Sequence, residues 1–181
     1  MIGSGRIGGD SLSLINKGGL IEATGSNPLI VDTGSNAIIN TGMLESNAGS
    51  LIVRSDVQGA GSATINGGSI EFAGASDANV SFDPYNGGKL QLDRSDSFTG
   101  TISGFGDVRS EIDLMDIAYS ENTTLGYSAN SDNSAGILTV NDGTHAASLA
   151  LLGQYAASSF TMASDGHGGT LIDPLLNLTR P

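Results

Sequence analysis

One short pattern recurs four times in the first 90 residues: an Asn, a Gly two positions on, and an aliphatic residue two after that. The copies are Ile15-Asn16-Lys17-Gly18-Gly19-Leu20, Ile39-Asn40-Thr41-Gly42-Met43-Leu44, Ile65-Asn66-Gly67-Gly68-Ser69-Ile70 and Tyr85-Asn86-Gly87-Gly88-Lys89-Leu90. A large apolar residue precedes each Asn, and Glu22, Glu45, Glu71 or Gln91 soon follows. The Asn positions lie 24, 26 and 20 residues apart, about one coil of a solenoid repeat. A unit so short cannot bury its own apolar face, so the copies must stack. Further strand signals, Leu29-Ile30-Val31, Leu51-Ile52-Val53 and Val80-Ser81-Phe82, follow the first three copies. The spacing predicts an all-β chain: a right-handed parallel β-helix with about three strands per coil.

The pattern has a physical rationale. The apolar residues on either side of Asn face the interior on two strands joined by a tight turn, for which Gly18, Gly42, Gly68 and Gly88 are expected to supply positive φ. Asn tolerates the left-handed region and bonds to nearby backbone. With coils stacked about 4.8 Å apart, Asn16, Asn40, Asn66 and Asn86 are expected to form one internal hydrogen-bonded ladder. Ser76 reads as an exposed turn residue. The main structural rival is a collapsed antiparallel sandwich.

Composition agrees with strands rather than helices, since Gly is 27 of 181 residues and aromatics are 5%, a turn-rich mixture. Seven Lys and Arg stand against nineteen Asp and Glu, a net charge of −12. The cations are scattered, so nucleic acid is not expected as a partner, because phosphate neutralisation needs a basic patch. The acidity serves solubility, the alternative being divalent cation binding. Without cysteine there is no thiol nucleophile, disulfide or thiolate metal site. No run reaches the roughly 18 apolar residues of a membrane helix, so no membrane span is expected. No basic region followed by an apolar core opens the chain, so it is read as a fragment or as addressed by another route.

After about Leu92 the repeat fades. Residues 98–105 and 111–117 read as strands of a last coil, and Ile137-Leu138-Thr139-Val140 and 147–152 flank Asn141-Asp142-Gly143-Thr144, a hairpin signal. A second hairpin pairs Phe160-Thr161-Met162-Ala163 with Gly169-Thr170-Leu171-Ile172. An antiparallel lid of this kind covers an otherwise open solenoid end. The domain reading is coils over residues 1–117, and a hairpin cap with a candidate secretion segment over 118–181.

The blocks at 98–105, 111–117, 136–153 and 160–172 resemble the C-terminal region of Gly-rich, autotransporter-passenger-like or type I-secreted β-helix proteins of α-proteobacteria, including rhizobial ones. The shared blocks are F-x-G-x-I-x-G-F, I-D-L, G-x-L-x-V-x-D-G-T-H and D-G-x-G-G-T-L-I. The resemblance covers about the last 85 residues. It implies export to the cell surface or the medium, either as an autotransporter-like passenger or through a type I system reading residues 171–181 as an uncleaved secretion address. Calcium β-roll nonapeptides are not repeated, and Asp165-Gly166-His167-Gly168-Gly169 is one degenerate piece. No cofactor is expected beyond weak calcium binding.

Parallel β-helices also host polysaccharide lyases, epimerases and hydrolases. Phe82-Asp83-Pro84-Tyr85 resembles the Asp-Pro-His of alginate epimerases, with Tyr replacing His. Asp83, Asp93, Asp96, Asp113 and Asp116 supply carboxylates for the two-carboxylate chemistry of glycoside hydrolysis, and nothing singles out a pair. Arg54-Ser55-Asp56 and Arg94-Ser95-Asp96 read as surface ion pairs at strand ends, the alternative being a saccharide-binding stripe, and His145 and His167 as turn residues, the alternative being metal binding. The nucleophile elbow G-x-S-x-G is absent. The chain therefore reads as an exported structural or adhesive module, the alternative being a polysaccharide-active enzyme or a piece of one. Candidate partners are cell-surface glycans or a host or matrix surface, with the solenoid ends as candidate surfaces for self-association.

Overall fold

The computed structural model describes residues 1–9 and 11–175. The chain is a β-solenoid of about five turns whose strands stack in parallel, closed by antiparallel strands at its C-terminal end. Each of the first three coils contributes three strands: β1 (Ile2–Gly3), β2 (Gly5–Gly8) and β3 (Ile15–Asn16); β4 (Leu20–Thr24), β5 (Leu29–Asp32) and β6 (Ile38–Asn40); β7 (Met43–Asn47), β8 (Ser50–Val53) and β9 (Val57–Gln58). The following coils keep two, β10 (Ser62–Asn66) and β11 (Gly68–Phe72), β12 (Asn79–Phe82) and β13 (Gly88–Leu92), β14 (Thr101–Ser103) and β15 (Ser110–Leu114). Their third side shrinks to single bridges, Val57 to Ser76 and Ser76 to Phe98.

Strict alternation sends every second residue inward, where like residues form columns. On one sheet Ile21, Leu44, Ala63, Val80, Ile102 and Leu151 align in register. On the second, Leu29, Leu51, Ile70, Leu90, Ile112 and Ile172 do so. The coils of this second sheet are 22, 19, 20 and 22 residues long. All these side chains are buried, in one core that continues through the closing end. At about 25 cal/mol per Å² of apolar surface removed from water, such columns dominate the stability of the stack. Ser76 occupies an inward column and is buried rather than exposed.

Two corners let the coils approach backbone to backbone. At one, a Cβ on Gly42 would lie 2.3 Å from the Gly19 carbonyl oxygen; at the other, a Cβ on Gly68 would lie 2.0 Å from that of Gly49. Gly42 and Gly68 are thus required by proximity, and neither has positive φ. This corrects the expectation for those two, whereas Gly18 at φ +65° and Gly88 at φ +129° do adopt the left-handed side. In the third and fourth copies the turn residue proper is the preceding one, Gly67 at +69° and Gly87 at +59°.

The closing antiparallel hairpins cap the coils by continuing both sheets. β18 (Ala146–Leu152) pairs parallel with β14, and β17 (Ala135–Asn141) and β16 (Thr124–Ala129) then add antiparallel, extending the first sheet. β20 (Thr170–Pro174) pairs antiparallel with β15, and β19 (Phe160–Ser164) with β20, extending the second. A row of rings, Phe82 of β12, Phe105 and Phe160, runs from the coils into this end, with centroids 5.4 and 6.2 Å apart along the row. Tyr127 and Tyr155 pack on Phe160 at 5.6 and 5.4 Å.

Candidate functional site

The four Asn residues do not form one ladder. Asn16 and Asn40 stack in register on β3 and β6, and Asn16 Nδ2 donates to Asn40 Oδ1 at 2.8 Å in a buried bond. That column stops after two rungs, because Gly59 takes the next level and Asn40 Nδ2 is left buried without a hydrogen-bond partner. Asn66 and Asn86 sit at a different corner. There Asn86 Nδ2 donates to Asn66 Oδ1 at 2.8 Å, Asn66 Nδ2 to Asn47 Oδ1 at 3.4 Å, and Asn47 Nδ2 to Glu22 Oε1 at 2.9 Å. This second, solvent-facing chain includes Asn47, which belongs to no copy of the sequence pattern. The 26-residue interval between Asn40 and Asn66 is where the pattern steps from one corner to the next.

The carboxylates singled out from the sequence are scattered. Asp83 closes a turn, its Oδ1 accepting from the backbone N–H groups of Tyr85 and Asn86, both at 2.9 Å. Tyr85 points into solvent. Asp96 is exposed and accepts only from the adjacent Ser97 hydroxyl. Asp116 Oδ2 accepts the Ser95 backbone N–H at 2.9 Å. Both His lie at hairpin turns: Asp142 Oδ1 accepts the His145 backbone N–H, and Asp165 Oδ1 that of His167, each at 2.7 Å. The His145 N–H leads the several backbone donors that hold the Asp142 carboxyl well below the usual range. Arg54 and Arg94 do not align, since Arg54 falls in register between Asp32 and Ala73 while Asp93, not Arg94, continues that level.

Asp93 and Asp113 do share a surface, the outer face of the second sheet. Its central row runs Arg6, Ile30, Ile52, Glu71, Gln91, Asp113 and Leu171 on successive strands. Lys89 Nζ pairs with Asp113 Oδ2 at 3.0 Å, and Gln91 Nε2 donates to Asp93 Oδ1 at 3.0 Å. Burial first, and Asp93 second, push the Glu71 carboxyl up, against the opposing pull of Arg54 and Lys89. The residues unrecognised from the sequence as a polar group are Glu71, Lys89 and Gln91. The period-2 alternation of Gly68–Phe72 and Gly88–Leu92 carries the signal, because it fixes which side chains face out.

A hydrolytic pair needs both carboxyls open to one sugar. Glu71 and Asp113 flank the Gln91 strand, two strand spacings or about 10 Å apart at the backbone. Only Glu71 is accessible, because the Asp113 side chain is 5% exposed and closed by Lys89. Lys89 and Asp113 pair their charges across adjacent coils. Among the described residues, no group of three or more Asp, Glu or His is placed to hold a metal ion, and no helix is long and apolar enough to cross a membrane. No protein-family model, no curated protein and no solved structure matches the chain.

Proposed function

We propose that the chain is a structural or adhesive module of an exported bacterial protein, at the cell surface or in the medium, and that it is not an enzyme. The observation that carries this is the use to which its carboxylates are put. Asp83, Asp116, Asp142 and Asp165 accept turn backbone, and Asp113 is paired across coils. Carboxylates committed to holding turns and pairing coils support a structural reading of the module. Incubated with alginate, pectin and similar acidic glycans, the module should release no unsaturated or reducing ends. Turnover that disappears on Asp83→Asn or Asp93→Asn would place it among the lyases, epimerases or hydrolases instead.

Export rests on the resemblance of the closing blocks. Residues 171–174 of the candidate address belong to β20, where Ile172 is fully buried, while 176–181 lie outside the described residues. A deletion from residue 171 would therefore unfold the end as well as remove the address. Ending the chain after Leu175 separates the two, and loss of export with an unchanged melting midpoint is the expected result. Calcium should raise that midpoint only slightly, since scattered carboxylates make no cage of 6–8 oxygens.

A further inference from the structure

Where the first sheet turns into the second near the closing end, two shallow concavities of about 240 and 290 Å³ adjoin. Tyr155 and Gly106 line both. Pro84, Gly104 and Asp107 complete one, and Gln154, Ser159 and Pro174 are among the walls of the other. The Tyr155 ring is held in place, edge-on to Tyr127 at 5.9 Å and against Phe160. Its seat exists because Gly153 has no side chain: a Cβ there would come within 2.7 Å of the ring.

Gly106 is the informative residue. It is glycine for neither usual reason, since its φ is not positive and an added Cβ would meet nothing within 4 Å. A side chain there has open space to extend into at the border the two concavities share. Gly104, two residues earlier, is different, with φ +73° and the Phe82 carbonyl oxygen 2.5 Å from its Cβ position. The backbone needs Gly104, whereas Gly106 is the glycine that both concavities share.

We propose that this groove binds a neutral oligosaccharide, the Tyr155 ring serving as platform and Gln154, Ser159 and Asp107 as flanking hydrogen-bonding groups. The ligand class follows from the lining. An aromatic face takes the C–H face of a sugar ring, and the few polar groups around it orient the hydroxyls. An anionic sugar is disfavoured by the net charge of −12 and by Asp83, next to the lining residue Pro84. Asp107 offers a cationic ligand no net charge, because Arg109 bonds both its oxygens, at 2.7 and 2.8 Å. The same hydrogen bonds hold the Asp107 carboxyl down to about 2, so it is an acceptor at every working pH.

The inference rests on the adhesive reading and names its ligand and site. The chain has four Tyr, so the full-length protein labelled with 3-fluorotyrosine gives four ¹⁹F resonances, assigned by single Tyr→Phe variants. It is titrated with cello-, malto-, manno- and xylotetraose and with tetragalacturonate, to about 10 mM. The Tyr155 resonance, with that of its neighbour Tyr127, should move with at least one neutral tetraose, while those of the exposed Tyr85 and Tyr119 stay. Gly106→Leu should weaken that binding at least about tenfold with an unchanged melting midpoint. Gly9→Leu, at the other end and likewise free of contacts within 4 Å, should bind as the parent does. A silent Tyr155, parental binding by Gly106→Leu, or stronger binding of tetragalacturonate would each overturn the site. Adhesion of module-coated beads to cells separates the two ideas. Adhesion unaffected by Gly106→Leu removes the groove and leaves the adhesive reading, whereas tetraose binding without adhesion does the reverse.

Discussion

The coils and the closing end share two sheets and one core, yet they are held together by different means. In the coils, backbone meets backbone at the glycine corners, and the interior is filled by aliphatic columns such as Leu29, Leu51, Ile70 and Leu90. At the end the strands reverse, and Gly143, Gly166 and Gly168 sit in turns at φ +93°, +79° and +107° with no neighbour near their Cβ positions. The third side has also run out, its last bridge being Ser76 to Phe98. Without that wall the space between two sheets, about 10 Å, needs large side chains, and Phe105, Phe160, Tyr127 and Tyr155 supply them. Close approach governs the coils, and volume governs the end.

Removing residues 118–181 tests that contrast most severely. It uncovers Ile102, Phe105, Ile112 and Leu114, all buried, together with two open strand edges, so the shortened chain should associate or fail to fold cooperatively. Light scattering reads the outcome, and a monomeric, cooperatively melting product would mean that the coils stand alone. Phe105→Ala comes next, at about 3–5 kcal/mol. Hydrogen exchange should show protection lost first in β16–β20, and uniform loss would deny the end a separate character.

Gly68→Ala should cost about 1–3 kcal/mol through the collision with Gly49. Gly166→Ala should cost about 1 kcal/mol, from backbone conformation alone. Equal urea midpoints for the two would erase the distinction between proximity and φ. Within the coils, Asn40→Leu should be more costly than Asn66→Leu, at about 1–3 against under about 1 kcal/mol, because only the first rung is buried; the reverse order in urea would refute it.

The smallest effect is electrostatic. Burial and Asp93 raise the Glu71 carboxyl, so the folded state binds its proton more readily than the unfolded chain. Stability is therefore lost as pH rises from the ordinary carboxylate range through the raised folded value. Glu71→Gln should melt slightly higher than the parent at pH 7 and equally below about pH 4. An advantage that persists in acid would point to packing rather than charge.

The solenoid was legible because stacking imposes register, and register leaves the same apolar residues at coil-length intervals. The phase of the coil was not. Ile39-Asn40 and Ile65-Asn66 look alike because two corners solve the same problem, passing an inward residue into a tight turn. Local sequence does not say which corner is which. Val80-Ser81-Phe82 looks equivalent to Leu51-Ile52-Val53 for the same reason, yet it stacks on β10 rather than on β8. The hairpins around Asp142-Gly143 and Ser164-Asp165 announced themselves through turn chemistry. Their docking did not, because pairing with β14 and β15 is decided by contacts far away in the chain. The polar group at Glu71, Gln91 and Asp113 needs that register before its members become neighbours.

The reversal at β20 also gives the molecule a direction of assembly. Stacked repeats have nearest-neighbour energetics, so order spreads from wherever the first interface is cheapest to form. At the closing end two hairpins bring short-range pairing and clustered rings, whereas the first coil has two-residue strands at β1 and β3 and only partly buried Ile7 and Leu14. Nucleation is expected at the C-terminal end, with coils zipping on toward residue 1 and peeling off in the opposite order, which hydrogen exchange in rising denaturant should read as protection lost first in β1–β3. Under tension or denaturant, such a rod shortens from its head one coil at a time, while its foot remains folded to the last.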